Sequence, residues 1–376
     1  MTYDIVVTTA FGVESITKNE LRSLGVRDPK AVEGSILIRG TDEDVAKYNL
    51  LLRTAERIHI KVASFHAETF DQLFDNVKEI AWENFLPKDA KIVVTGKSKK
   101  SALFALSSCQ SIIKKAILVR LMPIYRTRTF EESGAEYNVE FSIRDNEVTL
   151  LLNTSGKGLH KRGYRTLVAP AQMKETLASA IISLSDMTAE KPFVDPFCGC
   201  GTFVIEGALK AMNIAPGLQR DFDFLHWKNF DKKIFDRIKE EAIEKENRNI
   251  DLHFCGYDID PEVIKLARYH AKQAGIEDKV HFQARDVRDL SSRFSEGTLC
   301  CDPPYGKRLG DLKEAKLLTS ILGERYQTLG PKWSAYVVSA VPDFERHFGR
   351  NADKNRKFFN ADELCRLYSY FPIRSL

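Results

Sequence analysis

The chain has 376 residues, 43% of them hydrophobic and 29% charged, with a net charge of +4, which excludes a disordered polymer and is too long for one average core. The opening Met1-Thr2-Tyr3-Asp4-Ile5 has neither the basic start nor the following apolar run of a signal peptide, and no stretch approaches a membrane span, so a cytoplasmic protein of more than one domain is expected. Seven cysteines, several in strand-like runs, are expected to be reduced and buried; Cys198-x-Cys200 lacks a second pair at zinc spacing, so no metal is expected.

Residues 1–64 alternate strand-like runs (Asp4 to Thr9, Ser35 to Arg39) with helical ones (Val13 to Leu24, Asp42 to Leu52), a small α+β unit resembling a ferredoxin-like fold. Over 65–155 the pattern predicts a helix from Phe70 to Asn84, a strand from Lys91 to Thr95 and a helix from Ser107 to Arg120. A hairpin follows, Tyr137 to Ile143 and Glu147 to Asn153, turning at Asp145-Asn146. Charge is unevenly spread. Lys91 to Phe130 holds nine Lys or Arg and no acid, and Val148 to Lys174 holds five more, again without an acid. Interleaved Ser, Gly and aromatic residues suit a phosphate backbone, with a solvated face as the alternative. Lys97, Lys99, Lys100, Lys161, Arg162 and Arg165 are the candidate contacts. Gly156-Lys157-Gly158 to Tyr164 reads as the joint to a third unit, 156–376.

In that unit Phe193-Val194-Asp195-Pro196-Phe197-Cys198-Gly199-Cys200-Gly201-Thr202 reads as strand, glycine turn and helix start, the opening of a doubly wound α/β domain. Gly199 and Gly201 let the backbone approach a ligand. Val204 stands where a dinucleotide motif has its third glycine, which disfavours NAD; Asp195 suits a ligand with a positive end, such as the amine and sulfonium of S-adenosylmethionine. An insertion over 216–249, including the charged helical run Lys232 to Asn249 that reads as a solvated face, precedes a second strand ending at Asp258, a candidate for a ribose diol. Asp260 before Pro261 reads as a helix cap. A third strand ends at Asp286-Val287, where the carboxylate can accept an adenine amine. Cys300-Cys301-Asp302-Pro303-Pro304-Tyr305-Gly306 then joins an acceptor, two prolines without backbone donors and an aromatic ring. Alone it is equally a turn with a capping Asp. Beside the upstream motif it reads as a grip for a flat amine, with Lys307 and Arg308 close enough for phosphate. Ala335 to Ser339 and Leu364 to Tyr370 are later strands.

These motifs, with Gly163-Tyr164-Arg165, Ala169-Pro170, Glu175-Thr176-Leu177-Ala178, Pro216-Gly217-Leu218 and Trp227, resemble the THUMP-domain RNA N2-guanine methyltransferases, close to those modifying large-subunit ribosomal RNA. The resemblance implies a Rossmann-like class I methyltransferase domain at 156–376, preceded by ferredoxin-like (1–64) and THUMP (65–155) domains. It implies S-adenosylmethionine as cofactor, held by Asp195, Phe197, Gly199, Gly201, Thr202, Asp258, Asp286 and Val287. Asp302, Pro303, Pro304 and Tyr305 are the implied catalytic segment. RNA is the implied partner, ribosomal ahead of transfer RNA, with no membrane role and the oligomeric state left open. The family commonly has Asn where this chain has Asp302, so an N6-adenine methylase stays open, as do a transfer-RNA guanine methylase and a non-catalytic RNA-binding assembly factor.

Overall fold

The structure is a computed structural model describing residues 2–167, 173–306, 311–360 and 363–372. Two seven-stranded sheets carry these residues. The first contains β1 (Tyr3–Thr9), β2 (Lys30–Val32), β3 (Ser35–Gly40), β4 (Ala55–His66), β5 (Lys91–Lys99), β6 (Glu136–Arg144) and β7 (Glu147–Asn153), in the order β2-β3-β1-β4-β7-β6-β5. Helices α1 (Glu14–Ser23), α2 (Asp42–Leu51), α3 (Phe70–Glu79) and α4 (Leu106–Ile124) accompany it.

β4 joins the two amino-terminal units. It pairs with β1 from Asp4↔Lys61 to Thr9↔Ala55 and with β7 from His59↔Asn153 to His66↔Glu147. Sequence reading predicts no strand there, and its division at 64/65 falls inside β4. The long strand alternates too weakly in its second half, where it runs to the surface, to be read by period. The β6–β7 hairpin turns where expected: Asp145 and Asn146 both take positive φ, 51° and 65°, as a two-residue hairpin loop requires.

The second sheet contains β8 (Phe193–Asp195), β9 (Phe254–Asp258), β10 (Val280–Ala284), β11 (Glu296–Cys301), β12 (Lys332–Ser339), β13 (Lys354–Asn360) and β14 (Glu363–Tyr370), ordered β10-β9-β8-β11-β12-β14-β13. β8 to β12 run parallel, while β14 lies antiparallel between β12 and β13. The helices are α5 (Glu175–Leu184), α6 (Thr202–Ala211), α7 (Lys232–Glu244), α8 (Pro261–Gln273), α9 (Leu312–Leu329) and α10 (Phe344–Phe348). Strand order reverses between β8 and β11, and in doubly wound sheets the crevice at that reversal, beyond the carboxyl ends, is where ligands bind.

The insertion after α6 is not a solvated appendage. Phe222, Phe224, Trp227, Phe235, Ile238 and Ala242 join the core of the first sheet, and the Trp227 ring stacks on Tyr137 with centroids 5.0 Å apart. α7 is amphipathic, its buried stripe hidden by the surrounding Lys and Glu. The second sheet is thereby strapped to the amino-terminal half. All seven cysteines are free and all but Cys255 are buried. Among the described residues no helix is long and apolar enough to cross a membrane.

Candidate active site

β8 is only three residues long and wholly buried, and its last residue, Asp195, is 1% exposed. The Phe197 amide donates to Asp195 Oδ1 at 3.0 Å, closing the turn. Burial pushes the Asp195 pKa well above the ordinary carboxylate range, and the charges of Asp258 and Asp302 push it the same way. The three acids from β8, β9 and the end of β11 therefore share one electrostatic neighbourhood at the carboxyl edge.

The two glycines of the turn do different things. Gly199 has φ +50° and no atom within 4 Å of where a Cβ would lie, so its surface is open to a ligand. Gly201 has φ +88°, and a Cβ there would stand 2.8 Å from the Phe282 ring; glycine is required for the helix to meet the sheet. Thr202 begins α6 directly after it.

Gly199 N donates to Asp258 Oδ2 at 3.0 Å and Asp260 N to Asp258 Oδ1 at 3.1 Å. Each oxygen keeps further acceptor capacity for a diol. Burial raises the Asp258 pKa. Asp260 caps α8 through Glu262 N at 2.8 Å, with Pro261 following, as predicted. Ile259, between the two acids, is 70% exposed. It was not predicted, and the signal was present: an apolar residue between two polar turn acids has no reason to be there for solubility. Asp286 accepts from Arg288 N at 2.8 Å and Arg288 Nη1 at 2.7 Å, and these bonds lower its pKa. Val287 beside it is buried.

β11 delivers the tetrapeptide. Its pairing with β8, Leu299↔Val194, sets Cys300 level with Asp195 and carries Asp302 just past the sheet edge. Pro303 is buried and Tyr305 is 8% exposed, its hydroxyl accepting from Asn360 Nδ2 of β13 at 3.1 Å. Burial, then the Asp302 charge, pushes the Tyr305 phenol far above its usual range, so it stays neutral. Cys300 and Cys301 are fully buried strand residues whose thiols burial pushes well up, which suits packing and not nucleophilic attack. A cavity of about 590 Å³ elsewhere is lined by Phe254, Tyr257, His281, Arg293 and Trp333, and none of the three acids reaches it. The chemistry lies with the acids. Among the described residues no group of His, Cys, Asp and Glu is gathered for a metal.

Of the basic candidates, Lys97, Lys99 and Lys100 are exposed at the end of edge strand β5, and Lys161 is exposed in the joint. The loop after β5 is fixed by Ser101 Oγ to Lys99 O at 3.0 Å and Ala102 N to Asn146 Oδ1 at 2.8 Å. Other members of the first tract are neutralised: Lys114 by Glu132 at 2.7 Å, Arg120 by Glu83 at 2.7 Å, Lys91 by Glu136 at 3.0 Å. Two assignments need correction. Arg162 is 3% exposed and spends its guanidinium inside the protein, on Leu159 O at 2.8 Å, on Arg53 O, and 3.6 Å from Glu206. Arg165 pairs with Glu175 at 2.8 Å and donates to Met173 O at 3.1 Å and Thr202 Oγ1 at 3.2 Å. Both are struts and not phosphate contacts. Glu206 and Glu175, single acids in otherwise apolar helices, were the signal, since a buried carboxylate needs a cationic partner. Lys307, Arg308 and Ala169-Pro170 lie outside the described residues.

A family model described as an RMKL-like methyltransferase domain matches residues 162–369, a RlmL ferredoxin-like domain matches 4–59 and a THUMP domain matches 67–153. YpsC of Bacillus subtilis (strain 168), provisionally named an RNA methyltransferase, is 39% identical over 98% of this chain and 96% of its own length. Ribosomal RNA large subunit methyltransferase K/L of Syntrophotalea carbinolica is 32% identical over 96% of this chain, which spans only 53% of that relative. The crystal structure of SMU.472 complexed with SAH superposes with a TM-score of 0.96 at 40% identity, covering 100% of this chain and 99% of the other. A Listeria monocytogenes protein provisionally described as an N6-adenine-specific DNA methylase superposes at 0.93 with 39% identity, covering 99% and 96%.

Proposed function

Because the chain belongs to the RMKL-like methyltransferase family, we propose that it transfers a methyl group to the exocyclic N2 amine of a guanosine in RNA, acting in the cytoplasm on large-subunit ribosomal RNA ahead of transfer RNA. It is an S-adenosylmethionine-dependent RNA methyltransferase. The observation that carries the reading is the convergence of Asp195, Asp258 and Asp302 at the strand-order reversal, beside a glycine turn whose outer face is open. Asp258 and Asp302 are part-exposed at that edge with Asp195 buried beneath them, and this acceptor-rich rim fits a ligand bearing an ammonium, a sulfonium and a ribose diol. When bound, S-adenosylmethionine supplies an electrophilic methyl carbon.

Asp302 and the Pro303 carbonyl accept the hydrogens of the amine and turn its lone pair away from the ring, toward the methyl. A carboxylate with two acceptor oxygens matches the adjacent N1–H and N2–H₂ donors of guanine. Tyr305, fixed through Asn360, stacks on the base. The amine of a paired base is out of reach, so the guanine is unstacked first. Positioning provides most of the acceleration, and the amine needs no strong base because its proton becomes acidic only as the bond forms.

A second reading, N6-adenine methylation, is favoured by Asp302 in place of the usual Asn and by the Listeria relative. Mass spectrometry of RNA nucleosides from a strain lacking the gene separates the two: N2-methylguanosine is expected to fall, and loss of N6-methyladenosine instead overturns the guanine assignment. Asp302→Ala is expected to abolish turnover while S-adenosylmethionine still binds; normal turnover by that variant overturns the catalytic segment.

A further inference from the structure

Phe11, in the turn after β1, is 51% exposed, and Phe359, near the end of β13, is 40% exposed. They come from opposite halves of the chain, yet their rings meet edge to face with centroids 5.8 Å apart. The seam beneath is tight. A Cβ on Gly12 would stand 2.9 Å from Lys357 O, and Arg356 Nη2 donates to Ser15 Oγ at 2.8 Å. The two rings are thus held at the rim of a well-packed joint without being buried by it. Leu364, opposite Phe359 in the hairpin, extends the apolar patch.

Its location gives it meaning. β14 runs antiparallel to both β12 and β13, so the end of β13 stands at the same carboxyl edge as Asp302. Asn360, the next residue after Phe359, holds the Tyr305 hydroxyl. Lys357, two residues back on the same side of the strand, is exposed and has no ion-pair partner among the described residues. Exposed aromatic faces beside unpaired cations are the surface that binds unpaired nucleotides, bases stacking on the rings and phosphates meeting the ammonium groups.

We propose that Phe11 and Phe359 form a stacking platform for an unpaired nucleobase flanking the one to be methylated, with Lys357 taking its phosphate. The proposal rests on the RNA-methyltransferase reading and narrows the substrate to a loop or single-stranded segment. It also gives the amino-terminal unit a direct part in substrate binding.

The test uses the full chain, a fluorescent single-stranded RNA oligonucleotide, the same strand in a duplex, and ribosomal RNA from a strain lacking the gene as methyl acceptor. Phe11→Ala/Phe359→Ala is expected to bind the single strand about tenfold or more weakly and to raise the KM for RNA with kcat and S-adenosylmethionine affinity little changed. Phe11→Trp and Phe359→Trp, which keep an aromatic face, are expected to retain binding, and this guards against a mere folding defect. Wild-type affinity for the single strand by the alanine pair, equal losses for single strand and duplex, or failure of the tryptophan variants each overturns the platform. Absence of methyl transfer by the wild type, with the difference in oligonucleotide binding intact, sinks the catalytic reading and leaves the platform standing.

Discussion

The amide of Gly199 reaches across from the turn after β8 to the carboxylate of Asp258 at the end of β9, 3.0 Å away, so the open glycine and the ribose-type acid are one unit. Asp258→Asn keeps an acceptor for that amide but removes the charge and one acceptor oxygen. Since hydrogen bonds to charged groups contribute about 1.5–3 kcal/mol, affinity for S-adenosylmethionine is expected to fall about tenfold or more. Stability is expected to fall by about 1–3 kcal/mol, because the Asn side-chain nitrogen leaves one of the two backbone amides, Gly199 N or Asp260 N, facing a donor instead of an acceptor. Calorimetric titration beside thermal unfolding checks both; unchanged affinity removes Asp258 from the site.

The two turn glycines separate stability from binding. Gly201→Ala places a methyl against Phe282 at 2.8 Å and Ala267 at 3.2 Å in a left-handed backbone, and is expected to lose about 2–4 kcal/mol of stability. Gly199→Ala meets nothing and carries only the backbone cost of about 1–2 kcal/mol, yet it fills the open face. Urea unfolding is expected to rank Gly199→Ala as the more stable variant while both bind cofactor weakly. The reverse stability order, or full cofactor affinity in Gly199→Ala, contradicts the division of labour.

What could be read in advance follows from how local each cause was. The strand, turn and helix around Asp195 and the Asp260-Pro261 cap are short-range patterns in which each residue's reason lies within a few neighbours. β4 was missed because it is specified by partners on both sides, β1 and β7, that only the fold supplies. Arg162 and Arg165 were misassigned because a basic tract says nothing about which cations face inward; their partners, Glu206 and Glu175, lie on other elements. Lys232 to Asn249 reads as solvent-facing when its Lys and Glu are counted, although the intervals between Phe235, Ile238 and Ala242 mark a buried stripe.

Arg165 connects the joint to the cofactor turn. Its Nη1 donates to Thr202 Oγ1 at 3.2 Å, where α6 begins, and to Met173 O at 3.1 Å, while Nη2 pairs with Glu175. A positioning residue of this kind acts on cofactor geometry and not on RNA. Arg165→Met is expected to raise the KM for S-adenosylmethionine about tenfold, with Arg165→Lys restoring part of it, since a single ammonium cannot reproduce the forked contacts. The salt dependence of RNA binding is expected to stay unchanged. A shallower salt slope would instead mean that Arg165 reaches phosphate after all.

Glu56 of β4 braces the two halves through Thr176 Oγ1 at 2.5 Å, Lys174 Nζ at 3.1 Å and His160 Nδ1 at 3.6 Å. Burial pushes its pKa up, but the nearby His160 ring and the bonds donated by Thr176 and Lys174 outweigh it and bring the acid from an ordinary 4.5 down to about 2. With the folded value below the unfolded one, the unfolded chain takes up the proton first. The brace is therefore fully stabilising above pH 4.5 and is lost as pH falls toward 2, an upper bound of about 3 kcal/mol for a shift of this size. Glu56→Gln removes the charge at every pH. Urea unfolding at pH 7 is expected to show the wild type more stable than Glu56→Gln, and the gap is expected to narrow steadily below pH 4.5. A gap that is constant from pH 7 to pH 3 would mean that the ionised carboxylate is not what holds the halves together.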